Sequence, residues 1–352
     1  MDTIYSDGYH IYFNNVVDEL IRFIKNGGYS RFFVLTDENT SEHCLPVIKE
    51  QLDELGNYDV IEINAGEESK NIDFCIGIWR MLVDFEADRK ALMVNLGGGV
   101  VTDMGGFAAS TYKRGIDFVQ VPTTLLSQVD ASVGGKTGID VEGIKNIIGT
   151  FTQPKAVFID VAFLQTLPER QILSGLAEML KHGLILDAEY WQKLKDSDLK
   201  QPSAELIHHS VVLKNKVVLE DPKEKNIRKS LNFGHTIGHA VETWSLTHDS
   251  NPLTHGEAIA LGMICEGYLA HKKSGLKAEE LEEIVSVIDS LYPRYSFKHS
   301  IYEELYSIML KDKKNFDGKV NCTLLSVIGQ FSIDNVCTKE ELFEALDYYV
   351  NR

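Results

Sequence analysis

The 352-residue chain has no run approaching the roughly 18 uncharged apolar residues that a membrane-spanning helix needs. Its first residues, MDTIYSDGYHIYF, lack the basic-then-apolar order of a secretion signal, so a soluble, cytoplasmic protein is expected. Positive charge is scarce. Against 52 Asp and Glu stand 35 Lys and Arg, a formal net charge of −17. Phosphate backbones demand a basic face, which excludes general nucleic-acid binding. Local clusters of Lys and Arg therefore stand out as places for a small anion. The five cysteines (Cys44, Cys75, Cys265, Cys322 and Cys337) show no CxxC spacing and read as buried, reduced thiols. Internal repeats, low-complexity segments and the G-x-G-x-x-G pattern of a standard dinucleotide site are also missing.

What is present is ordinary globular composition, 44% hydrophobic and 25% charged, with length for one large or two medium domains. The first half alternates short apolar runs with helical patterns. RFFVLTD (31–37), DVIEIN (59–64), ALMVNLGGG (91–99), FVQVPTT (118–124) and AVFID (156–160) read as buried strands. Helical stretches such as 15–27 and 71–85 lie between them, which predicts a parallel sheet covered on both faces. After about residue 168 apolar residues recur at three- and four-residue steps over 167–186, 203–220, 255–275 and 277–292, the pattern of helices. A late hairpin over 318–333 interrupts them. The expected organisation is a Rossmann-like α/β domain over 1–168 and a mainly helical domain over 169–352.

In an open parallel sheet, ligands bind beyond the carboxyl ends of the strands. NLGGGVVTDMGGF (95–107) is such an end, where Gly97, Gly98 and Gly99 let backbone amides approach a pyrophosphate or simply make a tight turn. Asp37 closes an earlier strand and suits either a ribose hydroxyl or a helix cap. VPTTLLSQVDASVGGKTGID (121–140) reads as a polar, glycine-rich loop lining a pocket, with Thr123, Thr124, Asp130 and Lys136. Lys145, Asn146, Lys113 and Arg114 lie close by in sequence, and their convergence on strand ends favours phosphate recognition.

His235 and His239 lie four apart and so share one helix face, half of a zinc site in need of a third ligand. His255 opens the next helix, and Glu178 is a lone acid in the apolar stretch GLAEMLKHG, where a carboxylate wants a cation. Spacing alone nominates His235, His239 and His255.

In this order, GGGVVTD, VPTTLLSQVDASVGGKTGID, KNIIGTF, GLAEMLKHG, LNFGHTIGHAVE and HGEAIALG closely resemble the 3-dehydroquinate synthases, over about residues 60 to 330. The resemblance implies the fold of that family and a cytoplasmic, dimeric enzyme using NAD and one Zn²⁺ or Co²⁺. It also implies a substrate, 3-deoxy-D-arabino-heptulosonate 7-phosphate, cyclised to 3-dehydroquinate with loss of phosphate in the shikimate pathway. The implied route is transient oxidation by NAD, β-elimination, reduction and an intramolecular aldol. The implied metal ligands are Glu178, His235 and His255, with His239 moved to a substrate contact. Implied NAD contacts are Glu67 and Lys70, then Gly98, Gly99, Val100 and Asp103. Thr123, Thr124, Lys136, Lys145, Phe163 and Thr166 complete that set. Implied substrate contacts are Asp130, Lys136, Asn146, Lys181, Lys214, Arg228, Asn232, His239 and a lysine of KDKKN, Lys313 or its neighbour Lys314. Arg114 resembles an arginine that reaches the phosphate across a dimer interface. Thr102 stands where the family commonly has glycine. Two rivals share the plan: other sugar phosphate cyclases, such as an amino-dehydroquinate synthase, and metal-dependent polyol dehydrogenases, which have no use for a phosphate clamp.

Overall fold

The structure, a computed structural model, describes all residues except 14, 143 and 312–318. The chain folds as two compact units, Met1–Pro168 with Lys214–Leu219, and Glu169–Leu213 with Glu220–Arg352. The first unit is an α/β sheet domain and the second is mainly helical.

Unit 1 is built on a seven-stranded sheet. Its strands are β1 (Ile4–Tyr5), β2 (His10–Tyr12), β3 (Phe32–Asp37), β4 (Tyr58–Ile63), β5 (Leu92–Gly97), β6 (Asp117–Pro122) and β9 (Ala156–Phe158). They lie in the order β1-β2-β9-β6-β5-β3-β4. Only β1 is antiparallel to its neighbour. The unit also contains helices α1 (Val16–Asn26), α2 (Glu38–His43), α3 (Leu45–Leu55), α4 (Ile72–Asp84) and α5 (Gly99–Thr111). Alternation along β3 makes two cores. Phe33 and Leu35 pack with Ile78, Leu82 and Met104 of α4 and α5. Phe32 and Val34 pack with Leu20, Ile48 and Leu52 of α1 and α3. Each large apolar side chain buried in this way contributes about 1.5–3 kcal/mol.

The stretch 121–140 is not the loop that its composition suggests. It makes a π-helical turn over Ser127–Ala131 and then strand β7 (Lys136–Val141), paired antiparallel with β8 (Ile144–Phe151). Gly138 and Gly149 face each other there, and a Cβ on Gly149 would come 2.2 Å from the Thr137 carbonyl oxygen. Close backbone contact makes this ribbon, so no apolar run announces it.

Unit 2 contains α6 (Glu169–Leu186), α7 (Ala188–Lys195), most of α8 (Ala204–Glu220), α9 (His235–His248), α10 (His255–Lys273), α11 (Ala278–Leu291), α12 (Tyr302–Leu310) and α13 (Lys339–Asn351). Strands β10 (Val320–Val327) and β11 (Gln330–Cys337) form the late hairpin, whose second strand runs past the expected end. α10 packs against α6, α9, α11, α13 and β10 and is buried on nearly every side, so it lacks a polar stripe. Glycines bring its neighbours close. A Cβ on Gly262 would lie 1.9 Å from the Gly234 carbonyl oxygen, and one on Gly256 would lie 2.2 Å from that of Ser174. Helices α6, α9 and α10 carry Glu178, His235 and His255.

Candidate active site

In unit 1 the glycine triplet is the turn from β5 into α5, whose N-cap is Gly98. A Cβ on Gly98 would sit 2.9 Å from Thr124 Cγ2. The Thr123 amide donates to the Gly97 carbonyl at 3.0 Å, and Thr124 Oγ1 accepts the Ser127 amide at 3.2 Å. Gly99 and Val100 lie half-buried in the first turn of α5. Thr102 fits inside that helix, its hydroxyl 3.2 Å from the Gly98 and Gly99 carbonyl oxygens.

Beside this turn, Lys70 is buried and donates to Asp103 Oδ2 at 2.6 Å and to Asn146 Oδ1 at 2.7 Å. Burial works against the Lys70 charge, but Asp103 and then Glu67 outweigh it and hold the ammonium above its ordinary value. Burial pushes the Asp103 carboxyl up. Lys145 pairs with Glu67 at 3.3 Å, and the Asn146 amide donates to Asp140 Oδ1 at 2.7 Å. Glu67, Lys70, Asp103, Lys145 and Asn146 thus form one network. A second pairs Lys214 with Asp130, carboxylate to ammonium at 2.7 Å and also through the Asp130 carbonyl.

Other expected residues of this unit lie on several of its elements. Asp37 caps α2, accepting the Thr40 amide at 2.8 Å. Lys136 opens β7, half-buried. Phe163 is buried in a 3₁₀ turn over Val161–Thr166, and Thr166 is exposed. Arg114 follows Lys113 in a strained stretch, with φ of 48° at Lys113 and 71° at Arg114.

Unit 2 gathers four ligand-type side chains. Glu178, on α6 and fully buried, places Oε1 3.3 Å from His235 Nε2 and 3.5 Å from His255 Nε2. His239 joins them, one nitrogen from each of the three imidazoles lying within 4.8 Å of the others. Lys181, one turn along α6, hydrogen-bonds Glu178 Oε2. Burial alone would raise the Glu178 pKa; Lys181 and then His235 outweigh it and hold the carboxyl well below its usual range. Burial lowers the His235 pKa. At His255 burial is outweighed by Glu242 and Glu178, which push it up to about 10.

The donor set fits a zinc-like ion. Nitrogen and oxygen donors about 2.1 Å from a tetrahedral ion lie about 3.4 Å apart, matching the separations around Glu178 Oε1. That oxygen has no well-formed hydrogen bond among the described residues. Both histidines are oriented from behind. His235 Nδ1 lies 3.0 Å from the Phe233 carbonyl and His255 Nδ1 lies 3.4 Å from Glu242 Oε2, which turns both Nε2 atoms towards Glu178.

Arg228 is buried; its Nη1 donates to the Pro222 carbonyl at 2.8 Å and its amide to Asp221 Oδ2 at 3.1 Å. Asn232 donates to Glu224 Oε1 at 2.9 Å. Lys313 and Lys314 lie outside the described residues. Sequence reasoning overlooked Glu242 and Asp221. Glu242 was within reach, since it falls three residues after His239 and seven after His235 on one helical face.

The 3-dehydroquinate synthase N-terminal family model matches residues 60–174, and the C-terminal one matches 175–315. A 3-dehydroquinate synthase of Parabacteroides distasonis is 44% identical over 335 residues, 94% of each chain. Among solved structures, ValA, a 2-epi-5-epi-valiolone synthase from Streptomyces hygroscopicus with NAD⁺ and Zn²⁺ bound, is 27% identical. It aligns with a TM-score of 0.84 over 100% of this chain and 99% of its own. A 2-deoxy-scyllo-inosose synthase complexed with carbaglucose-6-phosphate, NAD⁺ and Co²⁺ aligns with a TM-score of 0.87 at 23% identity over 99% of each chain.

Proposed function

Because the chain belongs to the 3-dehydroquinate synthase family, we propose that it converts 3-deoxy-D-arabino-heptulosonate 7-phosphate to 3-dehydroquinate and phosphate. It acts as a cytoplasmic, dimeric, phosphate-eliminating lyase. The observation that carries this reading is Glu178 converging with His235 and His255 beside Lys181, in a chain 94% of which aligns with a member of the family.

When bound, NAD supplies a hydride acceptor that is later a donor, and the divalent ion a Lewis acid for the substrate hydroxyls. Glu178, His235 and His255 would hold the ion. The 1–168 domain would hold NAD through Lys70, Asp103, Gly98, Gly99, Thr123 and Thr124; the 169–352 domain would hold the metal and much of the substrate. Lys181 and Lys214 would neutralise the substrate carboxylate and hydroxyls. Lys136, Asn146, Arg228, His239 and Arg114 would clamp the phosphate. In this reading the leaving phosphate takes the proton itself, and His239 holds rather than abstracts. Slowed but measurable elimination by His239→Gln is the expected result; elimination that stops while NAD and substrate still bind makes His239 the base. The exposed Ile147, Ile148 and Phe151 of the β7–β8 ribbon support a protein–protein contact in the dimer.

The deciding experiment follows phosphate release from the heptulosonate phosphate with NAD and Zn²⁺ present, while NADH absorbance is read in parallel. Phosphate without accumulating NADH is the expected result. Net NADH on a simple polyol, with no phosphate released, would make the protein a dehydrogenase.

A further inference from the structure

Both metal-donor histidines stand first in their helices, His235 in α9 and His255 in α10. That is an awkward place for a cation, since a helix N-terminus carries about half a positive elementary charge. α10 meets the difficulty locally. Its capping box pairs the Thr254 side chain with the Glu257 amide, and the Glu257 carboxylate accepts the Thr254 amide at 2.7 Å.

α9 has no such cap. Its N-cap, Gly234, is left-handed at φ 79° and offers no side chain. No side chain would fit, because a Cβ there would lie 2.6 Å from Met263 Cγ. The amides are taken instead by Glu266, in the middle of α10. Its Oε2 accepts the Gly234 amide at 2.8 Å, and its Oε1 accepts those of Thr236 and Ile237 at 2.9 and 3.1 Å. Glu266 is fully buried. A carboxylate mid-helix in such a place is costly unless charge-assisted hydrogen bonds satisfy it, and here three amides do.

Resting on the reading of Glu178, His235 and His255 as the ligand set, we propose that Glu266 is a positioning residue for the metal centre. Its carboxylate fixes the first turn of α9 on α10 and cancels that turn's positive potential beside His235. α10 carries His255 at its start and Glu266 about three turns later. One helix thus supplies one ligand and the group that orients the other. The orientation passes through the turn itself, because the carbonyl that faces His235 Nδ1 belongs to Phe233, next to Gly234. A cap drawn from α9's own turn would hold the helix equally well but would not tie the two ligand helices together.

The test uses Co²⁺ as probe. Glu266→Gln replaces one acceptor oxygen with an amino group that faces N–H donors. The expected result is a Co²⁺ affinity lowered about 10–100-fold by chelator competition. A shifted visible absorption of the bound ion should accompany it, with NAD binding unchanged. A folded Glu266→Gln with wild-type Co²⁺ affinity and spectrum overturns the proposal. Glu178→Ala, measured alongside, separates the two readings. If it binds Co²⁺ as the wild type does, the ligand set is wrong rather than the role of Glu266. Hydrogen exchange on the metal-free wild type tests the proposal without any variant. The amides of Gly234, Thr236 and Ile237 should be protected like those of a helix interior, and exchange at the rate of an open helix start overturns it.

Discussion

Glu178 and Lys181 are each at most 1% exposed and are bonded to one another. Removing one partner of such a pair strands the other charge, so Glu178→Ala should destabilise the metal-free protein by about 3–5 kcal/mol. Adding Lys181→Met to it should recover most of that loss, as read by urea unfolding. Asp221 makes a second residue-scale prediction. Burial would raise its pKa, but the amides of Lys225, Asn226 and Arg228 outweigh it and hold the carboxyl below its usual value. The stability it contributes is complete above the unfolded value of about 3.9 and drains away as pH falls through the lower folded value. Asp221→Asn should therefore cost about 1–3 kcal/mol at neutral pH and flatten the acid limb of the stability curve. Glu178 was legible in the sequence because it is the lone acid in a short apolar stretch. Glu266 sits in equally apolar surroundings and was not, because the helix start it satisfies lies far upstream and no periodicity links the two. The spacing of His239 invited a ligand role, and the fold does bring it beside His235 and His255, but spacing could not show that Glu178 of α6 meets the Nε2 atoms of His235 and His255.

At the scale of elements, strands β3 to β6 and β9 were visible as apolar runs because a covered parallel sheet buries both faces of each strand. β1, β2, β7 and β8 were not. β1 and β2 are very short, and the β7–β8 ribbon depends on facing glycines, which carry no hydrophobic signal. The same property makes glycine substitutions diverge. Gly262→Ala drives a methyl into the Gly234 carbonyl and should cost at least about 1–3 kcal/mol by forcing α9 and α10 apart. Gly77→Ala, inside α4 with nothing within 4 Å of the new Cβ, should stabilise by about 0.5–1 kcal/mol. Thermal or urea unfolding of the two variants should move in opposite directions.

For the whole molecule, an acidic chain of net charge −17 is proposed to bind an anion. Composition made the local cations conspicuous but could not show how they are kept. In the structure Lys70 lies on Asp103, Lys145 on Glu67, Lys181 on Glu178 and Lys214 on Asp130. The protein thus brings its own counter-ions. At Lys181 and Lys214 the carboxylate of an arriving substrate would exchange places with carboxylates that are already there, instead of displacing a cloud of salt. KM should then change by less than about twofold across a range of ionic strength that halves the Debye length. Cations lying open to solvent would lose affinity steadily over the same range. Recognition of the substrate carboxylate at those two lysines would be an internal exchange of anions, to which the salt of the medium is nearly a bystander.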